Sequence, residues 1–240
     1  CDTKGSGAAM LWALKDYAQQ ENRTYNAGLL FALDEEAQMS GAQSFARGAL
    51  NEFLPNLVGL IVGEPTLMRP VVTHNGVMRW TTKTKGVAAH SADPSKGRSA
   101  ISTMVRVIDA LETRYAPTVT KSNQLTGKAA FSVNVIRGGT QVNIIPEACE
   151  IECDRRTVPG ESAEEILQER DAVLAGLEVE HTDLHVVPAM SDAGTDKLLA
   201  LLEPVLRELG IDASPRGEPY VTDASFYDAA GAPTIVIGPG

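Results

Sequence analysis

The sequence predicts an α/β domain interrupted by an inserted α+β domain. Three observations carry that expectation. Residues 1–76 alternate helical stretches with short apolar runs of strand length. Residues 77–187 change to the order strand, helix, strand, strand, helix, strand, as in a ferredoxin-like domain. Residues 188–240 return to helices and a buried-looking strand, so they read as the second part of the α/β domain.

Each element has its own signal. Residues 5–19 have helical periodicity, with Ala8, Leu11, Leu14 and Ala18 on one face. Residues 26–33 are almost continuously apolar, which suits a strand buried on both faces. Asp34-Glu35-Glu36 follows at once. Residues 40–50 read as a helix and residues 57–62 as a second buried strand, stopped by Gly63-Glu64-Pro65-Thr66. Residues 77–85 alternate as a half-exposed strand does. Residues 97–115 predict a long amphipathic helix with Ile101, Met104, Val105, Ile108 and Leu111 inward. Residues 129–136 and 148–155 read as strands joined through the turn-forming Gly138-Gly139. Residues 162–177 form a helix that opens on a capping box, Ser162 with Glu165, and residues 179–187 close the insert as a strand. Helices over 195–209 and 223–229 and a buried strand over 234–237 lead to Gly238-Pro239-Gly240.

Composition narrows the function. The chain has 240 residues and a net charge of −10. An acidic surface repels phosphate backbones, so no nucleic-acid partner is expected. Its one basic cluster is Lys83, Lys85, Lys96 and Arg98. No apolar run approaches the ~18 residues of a membrane span, so no membrane partner is expected. Cys149 and Cys153 lie four apart on one strand, on one face but too distant to bridge; they read as small packed thiols. Cys1-Asp2-Thr3-Lys4-Gly5 has neither the basic head nor the apolar stretch of a signal peptide. Both features fit a reducing compartment, and a cytoplasmic location is the expectation.

The chemistry centres on acids. Glu35 and Glu36 follow one expected buried strand and Glu64 follows another. Ligands in open α/β sheets bind at the carboxyl ends of strands, so these acids should converge on one crevice. Asp2, just before a helix, points to the same place. Gathered carboxylates repel, and a bound cation removes the repulsion. Two divalent ions could polarise an amide carbonyl and activate a water, with one free acid taking the proton. The same acids could instead cap the helices that follow them.

Several motifs together carry a resemblance. Asp2-Thr3-Lys4-Gly5, Asp34-Glu35-Glu36, Gly63-Glu64-Pro65-Thr66 and Gly86-Val87-Ala88-Ala89-His90-Ser91 occur in that order. Gly139-Thr140-Gln141-Val142-Asn143-Ile144-Ile145-Pro146, Asp154-Arg155-Arg156-Thr157-Val158-Pro159-Gly160 and Gly238-Pro239-Gly240 follow. The chain resembles the M20 metallopeptidase family, which includes acetylornithine deacetylase, succinyl-diaminopimelate desuccinylase, aminoacylases and glutamate carboxypeptidases. The resemblance implies a zinc-peptidase-like α/β catalytic domain interrupted by a dimerisation domain. It implies two divalent metal ions, zinc with cobalt or manganese as substitutes. Asp2 would bridge them, Glu36 and Glu64 would each hold one, and Glu35 would be the general base. His90 would reach the partner subunit's active site and help stabilise the oxyanion. Arg156 and Asn143 would hold the substrate carboxylate, although Arg155 beside Arg156 is easily confused with it. Gly240 would line the substrate pocket, and residues 77–187 would form the homodimer interface. His74, His181 and His185 match no family position. Thr222-Asp223-Ala224 matches a family stretch near the site, with no chemical role assigned.

Two family histidines have no counterpart in these residues. One belongs before Asp2 and the other after Gly240, so the expectation is a chain incomplete at both ends. The remaining acids form an all-oxygen set, which suits zinc poorly. The leading expectation is a hydrolase of amide bonds in N-acyl amino acids. A metallo-carboxypeptidase acting on short peptides and a metal-free binding or dimerisation module are the alternatives.

Overall fold

Every buried backbone N–H and C=O needs a partner, and the longer strands of this chain find theirs in two separate four-stranded sheets. The computed structural model describes residues 3–240. In chain order come α1 (Lys4–Ala18), α2 (Ser40–Arg47), α3 (Leu50–Phe53), β1 (Leu60–Val62) and β2 (Val71–His74). Then follow β3 (Gly76–Lys85), β4 (Ala89–His90), α4 (Ala100–Ala110), β5 (Ser122–Asn123), β6 (Gly127–Lys128) and β7 (Ala130–Gly138). After them come β8 (Ile144–Ile145), β9 (Ala148–Thr157), α5 (Ala163–Val173) and β10 (Val179–Val187). The chain closes with α6 (Asp196–Glu208), β11 (Arg216–Glu218), α7 (Ala224–Ala229) and β12 (Thr234–Val236). It divides into two units: residues up to His74 with Met190–Gly240, and Asn75–Ala189.

The unit Asn75–Ala189 is a ferredoxin-like domain. Its sheet runs β10-β3-β9-β7, antiparallel throughout. In order of appearance that is fourth, first, third, second, the arrangement two interleaved split β-α-β units produce. One sheet face carries Met78, Trp80, Cys149, Ile151 and Cys153, and packs against Met104, Val107, Leu111, Tyr115 and Ile166. Phe131 stacks on Trp80 at 5.8 Å and meets Tyr115 edge-on at 4.9 Å. Both helices are capped: Ser99 Oγ accepts from Ser102 N, and Ser162 Oγ from Glu165 N. Cys149 and Cys153 are buried and free.

The strand expected to be half exposed is so: Met78, Trp80, Thr82 and Thr84 are buried on one face, while Arg79 and Lys85 on the other are exposed and Lys83 is half-buried. One expectation for this unit needs correction. The long helix is rolled relative to the expected face. Met104, Val107, Ala110 and Leu111 point inward, while Val105 is 59% exposed and Ile101 37%. A π-helical turn over Leu111–Tyr115 carries the buried stripe on to Tyr115.

The other unit holds the sheet β1-β12-β2-β11. Central β12 is fully buried. Ile235 and Ile237 pack with Leu198 and Leu206 of α6. A separate cluster joins Ala42, Ala46 and Leu50 to Tyr227 and Ala232. Here the sequence misleads most. Residues 26–33 form no strand, and Phe31 and Leu33 are 64% and 74% exposed. The strand expected over 57–62 shortens to β1, a half-exposed edge strand. Helix α1 buries Ser6 rather than Ala8 and Leu11, which lie exposed. The expected helix over 40–50 breaks at Gly48 into α2 and α3. The cause is common to the first three. A doubly buried strand needs ladder partners and a covering layer, and among the described residues nothing pairs beyond β1.

Candidate functional site

Two loops of the α/β unit lock together. Thr66 N and Met68 N donate to Gly238 O at 3.2 and 2.9 Å, Leu67 N donates to Gly240 O at 2.8 Å, and Gly238 N donates to Thr66 Oγ1 at 3.2 Å. Leu67 and Met68 take positive φ values of 55° and 59° to make this turn. Gly238 is required by the close approach: a Cβ there would lie 2.5 Å from the Glu64 carbonyl oxygen and 2.6 Å from Ser6 Oγ. Glu64, Gly240 and the first turn of α1 therefore share one corner. Asp2, expected beside them, lies outside the described residues. Tyr220 sits close enough to Glu64 that burial and the charges of Glu218 and Glu64 push its hydroxyl up to about 12.

Glu35 and Glu36 sit on a separate turn. Asp34 O accepts from Gln38 N at 3.1 Å and Met39 N at 2.6 Å, while Asp34 Oδ2 accepts from Ser40 Oγ at 2.9 Å. This turn enters α2, whose Phe45 packs edge-on against Tyr227 of α7 with ring centroids 6.0 Å apart. The loops preceding the two helices are thereby brought side by side, Glu35 on one and Asp223 on the other. Glu35 is half-buried and Glu36 exposed. Asp223 is only 6% exposed, and burial together with the Glu35 charge pushes its carboxyl up to about 7. Thr222 is fixed beside it: its Oγ1 lies 3.1 Å from His74 Nε2 and accepts from Ala224 N at 3.2 Å. His74, which matched no family position, is wholly buried in this role.

The inserted domain carries three expected residues. His90 ends β4, which pairs with β8 so that His90 faces Ile144, and Asn143 O accepts from Ser91 N at 2.9 Å. His90 and Asn143 are thus neighbours, and both are exposed. His90 Nδ1 accepts from Ala92 N at 3.1 Å, so the neutral ring carries its proton on Nε2, a donor facing away from that bond. Arg156 Nε donates to Asp154 Oδ1 at 2.8 Å, and Asp154 Oδ2 accepts from Arg79 Nε at 2.9 Å. Arg155 differs sharply. It is buried and pairs with Glu161 at 2.6 Å, a side chain buried with it. The partly exposed Arg156, using only Nε, keeps its terminal nitrogens as the edge a carboxylate can meet.

Among the described residues, which leave out Asp2, no three of His, Cys, Asp and Glu form a metal-binding group. Glu64 stands at the Gly238 corner, and Glu35 and Glu36 stand on the turn before α2. In the sequence Asp223 stood out as part of Thr222-Asp223-Ala224, a stretch matching the family near the site, but with no chemical role assigned.

The comparisons with known proteins follow this geometry. The family model of the M20 peptidase dimerisation domain matches residues 72–182. An acetylornithine deacetylase from Proteus mirabilis (strain HI4320) is 31% identical over 251 aligned positions, covering 100% of this chain. The chain thus carries an M20 peptidase dimerisation domain and resembles M20 enzymes along its length. It spans 62% of the length of that relative. A probable carboxypeptidase from Paracoccidioides brasiliensis (strain Pb03) is 36% identical over 173 positions, 70% of this chain and 39% of its own. The fold agrees with solved peptidase structures. The aminopeptidase PepT from Bacillus cereus superposes with a TM-score of 0.62 at 18% identity, over 83% of this chain and 53% of its own. A tripeptidase from Staphylococcus aureus gives 0.58 at 19% identity, over 82% and 53%.

Proposed function

We propose that this chain belongs to a hydrolase that cleaves the amide bond of N-acyl amino acids, with Glu35 as general base. The observation that supports the reading is the similarity, along the whole of this chain and 62% of the relative, to an acetylornithine deacetylase. Glu35 stands half-buried on the turn before α2, with the Asp223 carboxyl near enough to feel its charge. It takes the proton of the attacking water and returns it to the leaving amine. On the inserted domain, Arg156 and Asn143 hold the substrate carboxylate, and His90 Nε2 donates to the oxyanion of the partner subunit's substrate. A homodimer through the inserted domain places these groups. Gly240 lines the pocket beside Glu64.

The family generally uses divalent ions, usually zinc. The described donors do not fit two zinc ions by themselves. They are oxygen donors, no three are gathered, and two of the histidines are engaged, His74 with Thr222 and His181 with Thr82. Asp2, Glu36 and Glu64 are the residues that would hold ions once further nitrogen donors join them. A second reading, a carboxypeptidase acting on short peptides, is favoured by the 36% identity to the Paracoccidioides protein.

The test uses the complete encoded protein, offered N-acetyl-ornithine, N-succinyl-diaminopimelate, simple N-acyl amino acids and dipeptides. Acyl amino acids should turn over fastest, and Glu35→Gln should lower kcat roughly 10²–10⁴-fold. Preference for peptides selects the carboxypeptidase. Turnover of nothing leaves a binding or dimerisation module and contradicts the proposal.

A further inference from the structure

Arg155 and Glu161 pair at 2.6 Å with side chains only 2% and 4% exposed. Withdrawing two charges from water is costly, and a buried ion pair is weak evidence for stability. The chain between them does not need the pair in order to turn. Gly160 takes a φ of 86°, and Glu161 N donates to Val158 O at 3.2 Å, so the backbone closes the turn by itself. The buried pair calls for another reason.

Its remaining bonds supply one. Arg155 Nη1 donates to the backbone carbonyl of Arg156. Arg155 Nη2 donates to Glu161 Oε1, and Glu161 Oε2 accepts from Val158 N at 2.9 Å. The backbone is thereby held on both sides of Thr157, where β9 ends. The ladder runs out at this place. Arg156 pairs with Ala130, the first residue of β7, and Thr157 pairs with Gly76, the first of β3. Successive strand residues face opposite ways. Arg155, in register with the core residue Met78, grips from the helix-covered face, and Arg156 stands on the other. There Asp154 accepts from Arg156 Nε at 2.8 Å and from Arg79 Nε at 2.9 Å. The carbonyl of Arg156 is fixed from one face of the sheet and its side chain from the other.

We propose that Arg155 and Glu161 are positioning residues for Arg156: the buried pair anchors the Arg156 carbonyl at the end of β9 and so fixes where the Arg156 fork meets a substrate carboxylate. This rests on the reading of Arg156 as a carboxylate holder. A guanidinium fork makes its two parallel bonds only when its plane is aligned with the carboxylate, and a strand end free to fray does not hold that plane.

The experiment uses the complete encoded protein and the N-acyl amino acid that it turns over fastest. One variant joins Arg155→Met to Glu161→Leu, which removes both charges and keeps apolar volume in their place. The other is Arg155→Lys, which keeps the ion pair but has no fork to reach both acceptors; it carries the test if the double variant does not fold. The double variant should raise KM roughly 5–20-fold and Arg155→Lys roughly threefold, with kcat changed less than about twofold. In an Arg156→Ala background neither should raise KM further. Unchanged KM in the folded variants, a loss confined to kcat, or the same rise in KM without Arg156 overturns the proposal. If Arg156→Ala by itself leaves KM unchanged, the carboxylate reading fails instead. A second readout needs no turnover: the nuclear magnetic relaxation order parameter of the Arg156 Nε–H should fall in both variants. An Nε–H that stays as rigid as in the unsubstituted protein overturns the proposal even in an inactive protein. A fallen order parameter without turnover upholds the anchor while the hydrolase reading fails.

Discussion

The two units of this chain solve the same problem with different completeness. In Asn75–Ala189 the strands β3 and β9 are ten residues each, pair along their whole length and bury Trp80, Ile151 and Cys153 beneath two helices. In the α/β unit the strands run three or four residues, β1 is a half-exposed edge, and Trp12, Phe31 and Leu33 face solvent. The inserted domain covers one apolar sheet face with helices from its own residues. The α/β unit does so at β12 and β2 but not on the side of β1. The contrast reaches the candidate site: Arg156 sits on a full-length ladder strand, whereas Glu35 and Glu36 sit on a turn.

Substitutions can break or sharpen this contrast. Trp80→Ala removes the largest fully buried side chain of the insert and should cost about 3–5 kcal/mol in urea unfolding. Phe31→Ser, at a ring left in solvent, should change stability by less than about 0.5 kcal/mol. A large cost at Phe31 would mean that its face is covered in solution. Within the insert, Arg155→Ala strands buried Glu161 and should cost roughly 3–5 kcal/mol. Its neighbour Arg156 forms a half-exposed pair, so Arg156→Ala should cost under about 1 kcal/mol while raising KM in the complete protein. A smaller effect concerns pH. Burial first and the Arg170 charge second hold His181 below its ordinary 6.5. The unfolded chain takes up a proton near that pH and the folded one resists it. The stability His181 contributes is therefore present above about 6.5 and lost as pH falls toward its folded value. His181→Gln should flatten that acid limb of the insert's unfolding curve by under about 1 kcal/mol.

Much of the architecture was legible in the sequence. The insert's strand and helix order, the Ser162 cap and the span of β10 follow from alternation, periodicity and capping chemistry, which are local. What failed was non-local. The apolar residues 26–33 read as a buried strand because composition reports what a segment is suited to, not whether a neighbour stands beside it. Val105 and Ile101 fell on the wrong side because a helix of Ile, Val and Met has apolar residues on more than one face. Of the candidate site, the Glu64–Gly240 corner and the His90–Asn143 pair came together. Asp223 stood in a stretch matched to the site without a role, because its burial and the charge of Glu35, 188 positions away in the chain, are not local features.

The central claim is that the described residues of the α/β unit gather no zinc site by themselves. Zinc titration of this 240-residue chain by calorimetry tests it directly. The account predicts weak, non-stoichiometric heats, as an all-oxygen and ungathered donor set dictates. Tight binding of two zinc ions per chain would contradict it.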